Sequence, residues 1–197
     1  MTSIPTEVWK EAINLAIGKT AASLGQMIQS EIFISMPLVS METVPSEQLE
    51  ENLPPVSICF NFLEGLEGKL WLMMSKEQAD EIARVCIGDG LDDDLGDDLD
   101  GSDGPIDYKG VVREFALIFT QHFADEMENI LESAPRFEGE GFKSFEGPSS
   151  ETQLLCTSKV VFDFEEKMQN YIYIVFEVDE KMSFLRRLDD YFSRATG

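Results

Sequence analysis

Between Glu7 and Val39 the apolar residues Trp9, Ile13, Ala16, Ile17, Leu24, Met27 and Ile28 recur every three or four positions. At about 100° per residue this gathers them on one side of a helix, facing a core. The other side carries Glu7, Glu11, Asn14, Gly18, Ala22 and Gly25. A solvated helix face is mostly Lys, Glu, Gln and Arg, and an interior Gly costs roughly 1 kcal/mol relative to Ala. A strip of Gly and Ala around two carboxylates and one carboxamide therefore predicts close approach by a second surface. A strand, Ile32–Met36, follows and ends at Pro37. The polar stretch Ser40–Pro55 reads as an exposed connection or a short irregular strand.

Val56, Ile58, Phe60 and Phe62 alternate with Ser57, Cys59 and Asn61, the pattern of a half-buried strand. Turn glycines at Gly65 and Gly68 lead into a hairpin partner, Lys69–Met74. Ser75-Lys76-Glu77-Gln78 has the spacing of a capping box and predicts a helix from Lys76 to Ile87, ended by Gly88 and Gly90. The run Leu91–Asp107 is acidic and of low complexity, and predicts a mobile linker. It is a poor calcium loop: with Gly101 at the sixth position, Asp98 and Asp100 fit, but Gly96 and Asp107 occupy the first and twelfth.

A second long amphipathic helix is predicted over Tyr108–Ser133, with Val111, Val112, Phe115, Ile118, Phe119, Phe123 and Ile130 as its buried stripe. His122 lies near that stripe and reads as a packed or partly exposed residue. The two long helices form a faint repeat: a shift of 103 residues carries Glu11 to Glu114, Asn14 to Leu117, Gly18 to Gln121 and Pro37 to Glu140. Strands at Leu154–Phe164 and Asn170–Val178 and an amphipathic helix at Glu180–Arg194 complete the chain. Helix, strands, helix, linker, helix, strands, helix predicts two similar halves, 1–90 and 106–197, joined by the acidic segment 91–105 and sharing one sheet in an α/β sandwich.

The net charge of −23 excludes nucleic acid, whose binding needs Lys and Arg, and disfavours an anionic membrane surface. No run of eighteen apolar residues and no secretory signal is visible, and three isolated cysteines in apolar settings read as reduced thiols of a cytoplasmic protein. The sequence shows no Ser/His/Asp set, no metal cluster and no Gly-rich phosphate loop. A catalyst with so little equipment must act on a substrate that supplies most of the site.

Glu11 and Asn14 are neighbours on one helix face, and Pro37 follows Asn14 after twenty-two intervening residues. This spacing resembles the active-site motif of the CheC/CheX/FliY family, phosphatases that act on the phosphorylated chemotaxis response regulator CheY. Gly18, Ala21, Ala22, Leu24 and Met27 also look like the family's first helix, whereas Glu7 stands where the family usually has Asp or Ser. The resemblance covers nearly the whole chain and implies a single CheC-like domain with a pseudo-two-fold α/β (α+β) fold. It further implies that Asn14 enters the receiver's site and orients water, and that Glu11 pairs with the receiver's Lys. Glu7, Gly18, Ala22 and Pro37 would serve docking, and Glu114 with Leu117 would be a degenerate second site. The chain would need no cofactor of its own, since the receiver brings the Mg²⁺. The alternative is a non-catalytic CheC-like adaptor that binds a receiver, the deamidase CheD or the flagellar switch. A homodimer is compatible with either reading.

Overall fold

The computed structural model describes residues 4–28, 32–34, 38–42, 56–64, 68–87, 108–132, 135–144, 154–164, 169–178 and 181–196. The elements in chain order are α1 (Ile4–Ile28), β1 (Ile32–Ile34), β2 (Leu38–Glu42), β3 (Val56–Glu64), β4 (Gly68–Met74), α2 (Lys76–Ile87), α3 (Tyr108–Leu131), β5 (Arg136–Phe142), β6 (Leu154–Phe164), β7 (Gln169–Val178) and α4 (Lys181–Thr196). The acidic segment 91–105, Pro37, Gly88 and Gly90 lie outside the described residues.

The capping box forms as its spacing requires. The Gln78 N–H donates to Ser75 Oγ at 3.2 Å, and the Ser75 N–H donates to Gln78 Oε1 at 2.8 Å, so two donors that the first turn of α2 leaves open are satisfied. The carboxyl of Glu77, in that first turn, is held below its ordinary value by its own backbone N–H and by the Ser75 hydroxyl. At the end of α3, Glu132 adopts a left-handed φ of 58°, and its N–H donates to Glu128 O at 2.9 Å. The helix therefore stops at Leu131, two residues short of the expected Ser133.

The strands form one antiparallel sheet in the order β1-β6-β7-β4-β3-β5, with β2 continuing the edge beside β6. Exchanging β1 with β5, β6 with β3 and β7 with β4 leaves this order unchanged when read from the other end. The order is thus symmetric about the central pair β4–β7, where Leu72 lies opposite Ile174, and at each edge a strand from one end of the chain pairs with one from the other, β1 and β2 with β6 and β5 with β3. Strand β5 was not expected. Its sequence, RFEGEGF, carries two glycines and three charges, and pairing with β3 holds it through two register shifts.

Alternation sorts the strand residues onto two faces. Ile58, Phe60, Phe62, Leu70, Leu72, Ile172, Ile174 and Phe176 join the apolar stripes of α1, α2, α3 and α4 in one core. Cys59, Trp71, Met73 and Val175 form a second, smaller cluster on the other face. Burial pushes the Cys59 thiol up to about 11 and raises that of Cys156 as well. At the centre of the main core Trp9 stacks on Phe176, with centroids 5.5 Å apart, and meets Phe123 edge-on at 5.4 Å. Phe123 also touches Phe62, Phe119 and Phe176. This cluster ties both long helices to the sheet and fixes which way their outer faces point. Among the described residues no helix is long and apolar enough to cross a membrane.

Candidate functional site

The stripe of α1 is buried as its periodicity requires: Trp9, Ile13, Ala16, Ile17 and Leu24 are at 0% exposure. The opposite face is thereby turned outward. Glu7, Glu11 and Ala22 are exposed, and Asn14, Gly18 and Gly25 are half-buried. Among the described residues neither Glu11 nor Asn14 has a hydrogen-bond or ion-pair partner. A Cβ built on Gly18 would meet nothing within 4 Å, so no part of the chain itself requires glycine at that position. Leu15 adds an exposed apolar side chain to the same face, which helical periodicity alone had assigned to neither side.

The 103-residue repeat extends to burial. Trp9 and Val112, Ala12 and Phe115, Ile13 and Ala116, Ala16 and Phe119, and Thr20 and Phe123 are all buried pairs, and Glu11 and Glu114 are both exposed. The outer face of α3 nevertheless differs from that of α1. Leu117 packs against the core, where α1 has Asn14. Gln121 Nε2 donates to Asp125 Oδ1 at 3.0 Å, and Asn129 Nδ2 donates to Asp125 O at 3.2 Å. The carboxamides of this second face are thus engaged within their own helix. Glu11 and Asn14 are brought together with Gly18 and Ala22, whereas Pro37 lies outside the described residues.

Two polar contacts between α1 and α3 could not be foreseen from spacing, since they join residues 107 and 99 positions apart. Lys19 pairs with Glu126, the Lys half-exposed at 51% and the Glu buried at 8%. Ser23 Oγ lies 3.0 Å from His122 Nε2. Each later residue of α1 meets an earlier one of α3, so the helices run antiparallel. The pairs are also equivalents under the repeat, which carries Lys19 to His122 and Ser23 to Glu126. The hydrogen bond to Glu126, reinforced by its charge, raises the Lys19 amine above its ordinary 10.5.

Asp125 Oδ2 lies 4.0 Å from His122 Nδ1, so a Ser–His–Asp contact absent from the linear sequence does assemble in space. It lacks the other half of an acyl-transfer site. Backbone N–H groups in a helix interior are already bonded four residues back and cannot form an oxyanion hole. The contact is a clasp between helices. Among the described residues there is no group of three His, Cys, Asp or Glu side chains able to hold a metal.

No protein-family model matches the sequence, and no curated protein is significantly similar to it. Solved structures are similar in fold. Thermotoga maritima FliY superposes with a TM-score of 0.71 at 18% identity over 98% of both chains. FliM from the FliG–FliM complex of H. pylori gives 0.69 at 13% identity, covering 94% of this chain and 100% of the other. The chemotaxis protein CheX from Desulfovibrio desulfuricans gives 0.52 at 13% identity, over 86% and 99%. The chain has the CheC/CheX/FliY-type fold that the family resemblance implies.

Proposed function

We propose that this protein is a phosphatase of aspartyl phosphate on a CheY-like receiver domain, with α1 as its single working face. The observation that carries this reading is the pair Glu11 and Asn14, without a partner among the described residues, on an outward helix face that Gly18 and Ala22 keep low. The reaction asks little of the protein. Water attacks phosphorus, the bond from phosphorus to the aspartyl oxygen breaks, and inorganic phosphate and a free carboxylate leave, the water's proton passing to phosphate. A phosphorylated receiver supplies its own Mg²⁺ and Lys, so the incoming group has only to hold water in line. A carboxamide can accept from water and donate to an oxygen at once. Asn14 takes that role, and Glu11 engages the receiver's Lys.

Loss of acyl phosphate from a panel of phosphorylated receiver domains tests this. At least one should be dephosphorylated faster with the protein present. Asn14→Ala should remove about 10²-fold of the gain, the usual effect of losing one transition-state contact. Glu11→Ala should slow turnover partly through weaker docking, Glu11→Lys should be worse because like charges meet, and Glu114→Ala should matter little. Full activity in Asn14→Ala would refute the assignment.

The second reading is a non-catalytic adaptor of the flagellar switch or of CheD. The likeness to FliM, which was solved in complex with FliG, favours it. A receiver or switch protein that binds without being dephosphorylated would establish that reading instead.

A further inference from the structure

Resting on the phosphatase reading, we infer that Leu15 is the docking residue that sets affinity for the phosphorylated receiver, acting through binding and not through the chemical step. Leu15 is 42% exposed on α1, where, among the described side chains, the large apolar residues Trp9, Ile13, Ile17 and Leu24 are at 0%. It follows Asn14 directly and lies four residues beyond Glu11, with Gly18 and Ala22 three and seven positions further on. These neighbours are small, so Leu15 is the tallest apolar feature on the face. Helical side chains lean toward the N-terminus, which lays Leu15 over the turn that holds Glu11.

The charge around it selects the occupant. The nearest cation on α1, Lys19, is engaged by Glu126, and the helix's other cation, Lys10, is half-buried, so the exposed Glu7 and Glu11 leave the outward face net negative. A partner presenting a cation beside an apolar surface fits this face. A receiver whose Lys meets Glu11 would bury Leu15 against its own surface and exclude water from the ion pair, where exclusion strengthens the attraction.

The test measures binding and turnover separately. Receiver domains held in the phosphorylated form by beryllofluoride and Mg²⁺ are titrated against wild type, Leu15→Ala and Leu63→Ala. Turnover of the acetyl-phosphate-charged receivers then gives kcat and KM. Covering the exposed part of one Leu corresponds to about a three- to tenfold change in affinity. Leu15→Ala should therefore raise Kd and KM by that factor and leave kcat unchanged. Leu63→Ala, truncating a still more exposed apolar side chain on β3, should change none of these. Leu15→Asp should raise Kd further. Wild-type Kd and KM in Leu15→Ala, with turnover lost in Asn14→Ala, would overturn the inference and leave the phosphatase reading standing. Weakened binding in Leu15→Ala, with normal turnover in Asn14→Ala, would support the docking role and refute the chemistry assigned to Asn14. A fall in kcat without a change in Kd would also overturn it.

Discussion

Truncating Phe123 to Ala should be among the most destabilising single changes in the main core, yet leave the chemistry of the α1 face intact in molecules that remain folded. Phe123 is fully buried and touches four rings from four elements: Trp9 of α1 at 5.4 Å, Phe62 of β3 at 5.7 Å, Phe176 of β7 at 6.0 Å and Phe119 of α3 at 6.1 Å. Removing a buried Phe side chain typically costs about 3–5 kcal/mol, the larger values applying where the surroundings cannot collapse. Here the surrounding rings are held by two helices and the sheet, and edge-on ring pairs add roughly 0.5–1.5 kcal/mol each beyond area. About 4 kcal/mol is expected, a large part of a total stability of about 5–15 kcal/mol. At about 2–4 °C per kcal/mol for a chain of this size, Tm should fall by about 8–16 °C. Urea unfolding followed by tryptophan fluorescence is a suitable assay, because Trp9 stacks within the same cluster. A loss below about 1 kcal/mol would refute the picture of a rigid ring cluster holding α1, since that is the range of ordinary point changes.

The ion pair between Lys19 and Glu126 should leave a pH signature. The folded-state value of Lys19 lies above its ordinary 10.5, so its stabilisation is fully present below that value and is lost as pH rises through the folded one. The difference in stability between wild type and Lys19→Met should be constant over about pH 7–9 and narrow above 10.5; a difference that closes below pH 9 would refute this. Gly68→Ala should lower stability by at least about 1–3 kcal/mol, because the new Cβ would lie 2.0 Å from the Glu177 carbonyl oxygen. An unchanged unfolding curve would mean that β4 and β7 can part there without loss.

The parts of this fold legible in the sequence are those fixed by local physics. Apolar period placed α1 and α3, the Ser75–Gln78 spacing placed the start of α2, alternation placed β3, the turn glycines placed its partner β4, and β-branched and aromatic content placed β6 and β7. β5 escaped because Gly139 and Gly141 carry little strand propensity, and pairing with β3 supplies what the local sequence lacks. The clasp between α1 and α3 escaped for a related reason: Ser23 and His122 meet only once the sheet has brought the two helices together. Glu11 and Asn14 were singled out by the family resemblance, and the fold adds that Glu11 is exposed and Asn14 half-buried on the outer face of α1. Leu15 was not singled out, since periodicity marks it only as lying between stripes, and its exposure emerges only once the fold is formed.

The crossed pairing of Lys19 with Glu126 and Ser23 with His122 bears on how the halves could be rebuilt. The repeat carries one pair onto the other: positions 19 and 122 are equivalent, and so are positions 23 and 126. A tandem of two first halves would place Lys opposite Ser twice, and a tandem of two second halves would place His opposite Glu twice. Neither arrangement sets two like charges against each other. These two contacts are thus compatible with internal symmetry in either sense. The outer surfaces differ further, since α1 turns the Asn14 amide outward where α3 packs Leu117 against the core.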